Sequence, residues 1–183
     1  MKRSTLNSLL AGTFCSVFIL LSCNSQAQNK SENEYKSRLD KINLPEGFQI
    51  SLYASNIFDA RSLARSEDGK TVFVGNRRRK NVYALTDIDG DMVADRVDTI
   101  ASGWNSPNGV AFKDGDLYVA EISRIHRFPD IMNNLVDPKS EVIFEDYPTD
   151  GHHGWKFIAF GPDDKLYVPV GAPCNVCDKE DEN

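Results

Sequence analysis

The sequence predicts an all-β protein, and within that class a β-propeller, on three observations. A strand–turn–strand unit occurs three times, its copies are spaced evenly in the high forties, and no stretch after Lys41 shows the 3.6-residue apolar spacing of a helix. The 183 residues are 40% hydrophobic with a formal charge of −6, an ordinary globular composition. That acidic balance argues against nucleic acid as a partner, because phosphate-binding domains carry a basic face.

The first copy runs from Ser62 to Val74, the second from Asn108 to Val119 and the third from Phe157 to Val168. Aligned on Ala64, Ala111 and Ala159, the steps are 47 and 48 residues; aligned on Phe73, Tyr118 and Tyr167, they are 45 and 49. Each copy turns on Asp68-Gly69, Asp114-Gly115 or Asp163-Asp164, residues that tolerate the positive φ of a two-residue hairpin. The first two copies continue into a further strand, Asn81–Leu85 and Arg124–Phe128. Ahead of them, Gln49–Ala54 alternates polar and apolar and reads as a strand. Several strands per repeat at this period make propeller blades, whereas a plain sandwich requires no even period. Propellers close with four to eight blades, and residues 42–183 supply about three. The expectation is therefore the N-terminal part of a longer propeller domain, its third blade breaking off in the acidic string Asp178–Asn183.

Residues 1–23 read as an export signal. Lys2 and Arg3 precede an apolar run, Leu9–Leu21, that is short of the roughly 20 residues a membrane span needs. Leu20-Leu21-Ser22-Cys23 has the form of a bacterial lipobox, so Cys23 is the expected lipidation site, with ordinary cleavage after Ala27 as the rival. Residues 24–41 are polar and suit a tether. The expected place is then a bacterial membrane, reached through the lipid anchor, on its periplasmic or outer side.

Four features could carry chemistry. His152 and His153 stand side by side before the third repeat, and a neutral imidazole takes a proton from a hydroxyl near physiological pH. Asp87, Asp89, Asp91 and Asp95 alternate through one loop. That pattern delivers hard oxygens to one point and suits a structural calcium, although it lacks the glycine position and closing Glu of an EF-hand. Cys174 and Cys177 form a Cys-x-x-Cys with no His after it and no second pair, which excludes haem attachment and a four-cysteine zinc site. In an exported chain a disulfide is the first expectation, local or to cysteines outside this chain, ahead of free thiols and of a redox or metal role. Trp104 and Trp155 could stack on a ring ligand or serve as core and rim. The basic run Arg77–Lys80 reads first as a solvated hairpin loop.

The string His153-Gly154-Trp155-Lys156-Phe157-Ile158-Ala159-Phe160-Gly161-Pro162-Asp163-x-Lys165-Leu166-Tyr167 resembles the core motif of the soluble quinone-dependent glucose and sorbosone dehydrogenases. Leu44-Pro45-x-Gly47-Phe48, Pro107–Phe112 and Gly171–Cys174 are similar to the sorbosone branch. The resemblance spans residues 42–183 and implies a six-bladed propeller with pyrroloquinoline quinone and calcium as cofactors. It implies His153 as the general base in hydride transfer from an aldose or other sugar, and electrons passed on to a respiratory acceptor. His152, Asn108 and Trp155 become candidate cofactor-binding residues. Glucose-type relatives carry acids where this chain has His152 and Ala172, so Asp150 is the expected substitute orienter of the base. They also carry a sugar-contacting Gln where this chain has Pro107, which argues against glucose itself. The family's remaining calcium and quinone ligands, an arginine among them, would follow Asn183, and residues 1–183 alone would be inactive. Two rivals stand beside this reading: a metal-dependent sugar-lactone hydrolase of propeller fold, and a non-enzymatic propeller that binds a partner.

Overall fold

The computed structural model describes residues 34–172 and 174–176. Cys23, Cys177, the signal and most of the tether lie outside the described residues. The chain divides into two compact units, residues 1–55 and 56–183. In the first, residues 34–39 are helical, with Arg38 paired to Glu34 one turn away at 2.8 Å. Residues 49–54 form no strand, against the sequence expectation. Alternation sets which face a strand would bury, but a strand also needs a backbone partner along its ladder. Among the described residues no helix is long and apolar enough to cross a membrane.

The second unit is all-β, as the repeats require, and is built as consecutive propeller blades. The first blade is β1 (Ala60–Arg65), β2 (Thr71–Asn76), β3 (Asn81–Thr86) and β4 (Arg96–Ser102), paired antiparallel in that order. The second repeats the order with β5 (Gly109–Lys113), β6 (Asp116–Ala120), β7 (Ile125–Phe128) and β8 (Glu141–Phe144). The third is a hairpin of β9 (Ala159–Phe160) and β10 (Leu166–Tyr167). β1 packs beside β5, and β5 beside β9, so the first strands of successive blades line up on the inner side.

The outer strands β4 and β8 have no counterpart in the sequence reading. β8 is exposed along its whole length and β4 is largely so, so neither carries a clear apolar period. Charges along these edges, such as Arg96 paired with Asp98 at 2.7 Å, discourage edge-to-edge association. The central strands do carry the pattern: Phe73, Val82, Leu117 and Phe128 are buried and form one core between the first two blades with Val110 and Ile131. Burying each such phenylalanine contributes roughly 1.5–3 kcal/mol. A second core joins Ala111, Ala120, Ile125 and Ile158 between the second and third blades.

Of the three expected two-residue turns, only one is. Lys113 pairs with Asp116 across Asp114 and Gly115, at φ 51° and 86°, the geometry of a type I′ turn. In the first blade Ser66 N–H donates to Thr71 O, leaving four residues in the loop. In the third, Gly161 N–H donates to Lys165 O, leaving three. Local side-chain bonds close these longer loops: Asp68 Oδ1 accepts from Ser66 Oγ at 2.6 Å and Lys70 N at 3.0 Å.

Candidate functional site

Strand direction sorts the loops between two ends of the blades. Turns 66–70 and 87–95 share one end, where Asp87 N–H donates to Lys70 O. Segments 77–80, 103–108, 121–124 and 151–154 share the other. There Trp104 N–H donates to Lys80 O, Ile122 N–H donates to Asn105 O, and Gly154 lies against Ile122.

A cleft of about 510 Å³ opens at this second end, lined by Ala60–Ser62 of β1, Asn108, His153, Trp155, Phe157 and Pro169–Gly171. The structure thus brings together three of the five histidine, asparagine and tryptophan candidates, Asn108, His153 and Trp155. His152 does not line the cleft; it is exposed, with its ring 4.0 Å from that of His153. Trp104 also lies elsewhere, 4.0 Å from the His126 ring and stacked at 5.6 Å on Phe128, where it packs against the core.

His153 sits in a tight turn at φ 55°, and its Nδ1 is 3.2 Å from Ala172 O. A carbonyl can only accept, so Nδ1 carries the hydrogen and Nε2 of the neutral ring holds the free lone pair. The orienting group is therefore a main-chain carbonyl, in place of the expected Asp150 carboxylate. Gly171 makes the arrangement possible: a Cβ there would stand 2.7 Å from His153 Cβ and nearer still to its carbonyl oxygen.

Asn108 is fixed from two sides. Its Nδ2 donates to Lys156 O at 2.6 Å, and its main chain passes so close to Gly75 that any Cβ there would meet Asn108 O and come within 2.7 Å of Pro107 O. Its Oδ1 is buried without a hydrogen-bond partner among the described residues. Trp155 is covered by the Arg77 guanidinium, 3.6 Å from the ring centre. Arg77 is placed by its turn, since Asp59 Oδ2 accepts from the amides of Arg77, at 3.1 Å, and of Arg78. These donors hold the Asp59 carboxyl below its ordinary value, led by the Arg78 amide. The basic run is a hairpin loop, as expected, but its first member faces the cleft's aromatic wall.

Two buried groups here escaped the sequence reading. Lys156 is 2% exposed; its Nζ donates to Gly154 O at 3.2 Å and lies 4.9 Å above the Tyr147 ring. Burial lowers its pKa. His126 Nε2 meets Glu121 Oε2 at 2.9 Å in a buried pair, and Glu121 Oε1 accepts from Asn105 N–H. Burial alone would raise the Glu121 carboxyl, but the His126 and Asn105 bonds outweigh it and hold it low. A lysine in an apolar alternation and a glutamate five positions before a histidine give no pattern signal of burial.

Asp87, Asp89 and Asp95 converge at the opposite end of the first blade, with carboxylate oxygens within 4.8 Å of one another. Asp91 does not join them; its Oδ1 accepts from Val93 N–H at 2.8 Å. The loop's own amides already use several of these oxygens: Asp87 accepts from Gly90 and Met92, and Asp95 from Ile88. Cys174 is disulfide-bonded.

A family model described as "Domain of unknown function (DUF7133)" matches residues 34–183. No curated protein matches the chain by sequence. Among solved structures, an iodide structure of a Trichoderma reesei carbohydrate-active enzyme of family AA12 is 17% identical, with a TM-score of 0.58 over 72% of this chain and 35% of that one. A luciferin-regenerating enzyme is 19% identical, with a TM-score of 0.54 over 73% and 44%. A PQQ-bound aldose sugar dehydrogenase from Streptomyces coelicolor is 20% identical, with a TM-score of 0.49 over 67% and 40%. The first two share the fold. The chain spans well under half the length of the solved structures it matches.

Proposed function

The chain belongs to the DUF7133 family, and from that premise we propose that it forms part of a sugar-oxidising enzyme in which His153 removes a hydroxyl proton. The observation that carries the reading is the tie between His153 Nδ1 and Ala172 O at 3.2 Å, which leaves Nε2 as the acceptor at a cleft of ligand size.

Oxidation of a sugar C–H/O–H unit to a carbonyl releases one proton and one hydride. His153 Nε2 takes the proton, and the resulting imidazolium keeps its Nδ1–H bond to the Ala172 carbonyl. Pyrroloquinoline quinone, when bound, would supply the acceptor for the hydride and its two electrons. The cleft fits a planar ring beside the base, because Phe157, 61% exposed, offers an aromatic face there. The lactone-hydrolase reading finds less support, since no carboxylate lines the cleft among the described residues. Calcium, the other expected cofactor, would find Asp87, Asp89 and Asp95 at the far end of the blade, where its role is structural.

The test is dye reduction by the longest natural form of the protein, supplied with the quinone, calcium and a panel of aldoses. Activity that falls at least about 10²-fold in His153→Ala is the expected result; an unchanged rate in that variant removes His153 from the mechanism. In the same reading Cys23 carries the lipid and electrons pass to a respiratory acceptor. Recovery of Cys23→Ala in the membrane fraction would count against the anchor.

A further inference from the structure

Resting on the sugar reading above, we propose that the cleft selects an acidic sugar, one that carries a carboxylate, and that Arg61 is the residue that reads the charge. The protein as a whole is acidic, with a formal charge of −6, yet among the described residues the only ionised side chain that lines the cleft is Arg61. The pairing of β1 with β2 explains its placement. Ala60 pairs with Asn76 and Ser62 with Gly75, so Arg61 is the extra residue of a β-bulge. A bulge re-aims the side chain it carries, and here it does so at the mouth of the site.

Among the described residues Arg61 has no ion pair. The nearest acid in sequence, Asp59, is engaged by the amides of Arg77 and Arg78. Arg77 stacks its guanidinium on Trp155. Arg77 does not line the cleft itself but lies over its Trp155, and among the described residues neither arginine forms a side-chain ion pair. A planar guanidinium is matched in shape and charge by a carboxylate, which it can hold through two parallel bonds.

The rest of the lining specifies what carries the charge. Phe157, Pro169 and Val170 present apolar surface to the C–H face of a sugar. Asn108 Oδ1 lacks a donor, and its orientation is settled by the bond from Nδ2 to Lys156 O. His153 Nε2 gives an acceptor for a hydroxyl group. A bare inorganic anion would use neither that acceptor nor the apolar wall.

The proposal is tested on the wild-type chain without quinone, by following the two indole N–H resonances in NMR titrations. The probes are glucuronate, glucose, inorganic phosphate and pyrroloquinoline quinone, each alone. Glucuronate is expected to shift the Trp155 signal saturably and to bind at least about 10-fold more tightly than glucose. Arg61→Gln is expected to bring glucuronate down to the level of glucose, and added NaCl to weaken glucuronate alone. Equal binding of glucose, undiminished glucuronate binding in Arg61→Gln, displacement of glucuronate by equimolar phosphate, or no glucuronate binding would each overturn the proposal. So would an Arg61→Gln variant that loses the quinone while keeping glucuronate. No turnover is measured, so an inactive dehydrogenase leaves this result standing.

Discussion

Gly171 is the residue on which the geometry of the base most directly depends. Its φ lies outside the left-handed region, so Gly171→Ala is allowed by the backbone and acts through space alone. The added methyl would stand 2.7 Å from His153 Cβ, whereas ordinary contact begins near 3.4 Å. His153, its carbonyl oxygen included, must therefore retreat by at least roughly 0.7 Å, a displacement of the size that costs about 10²-fold in rate when it falls on a catalytic group. The same retreat takes the Nδ1···O distance from 3.2 Å out of hydrogen-bonding range, which ends near about 3.5 Å. Nδ1 then no longer holds the hydrogen in preference to Nε2. Because the added methyl also meets the His153 carbonyl oxygen, the turn must shift, and the melting temperature should fall modestly as well. Two measurements on Gly171→Ala decide the matter: quinone-dependent dye reduction, and the nitrogen-15 shifts of the His153 ring, which report the tautomer. A variant that keeps both the wild-type rate and the Nδ1–H tautomer refutes the reasoning.

Two further outcomes follow from groups away from the base. Lys156 has its pKa lowered by burial, so the unfolded chain binds more protons than the folded one between the lowered value and 10.5. Its contribution to stability is then least favourable below the folded pKa and improves as pH rises toward 10.5; melting curves from neutral to alkaline pH should show this rise in the wild type and lose it in Lys156→Met. For the acidic loop, calcium at 100 times its dissociation constant would stabilise the fold by about 2.7 kcal/mol, and Asp89→Asn should reduce the gain. Identical melting with calcium and with chelator would mean that the loop's own amides suffice.

The sequence made the blades legible because their central strands bury alternate residues, Phe73 and Val82 in one blade, Leu117 and Phe128 in the next. It pointed to His153 as the proposed base because that residue stands in a motif whose spacing repeats a known pattern. It hid the outer strands β4 and β8, which face solvent, and it misjudged Gln49–Ala54, whose alternation comes without a ladder. The orienter of His153 was invisible for a different reason. Every residue has a carbonyl, so no side-chain pattern marks Ala172 as the one that bonds to the ring. Arg61 was hidden likewise, because its exposure to the cleft comes from a bulge in the pairing of β1 with β2, and register is not written in either strand alone. In the acidic loop, three of the four aspartates converge, because alternation in one tight loop brings side chains together, while Asp91 turns to cap Val93.

The seam between Gly75 and Asn108 bears on how such a protein can change. A repeat architecture suggests interchangeable cassettes, each blade carrying its own loops. Here Asn108, which lines the cleft, leads into one blade, is seated against the bare main chain of the blade before it, and is held by a carbonyl from the blade after it. A blade moved, duplicated or recombined as a unit would leave Asn108 without one of its two supports. Diversification at this site is thereby confined to point changes in its lining, with the order of these three blades kept as it is.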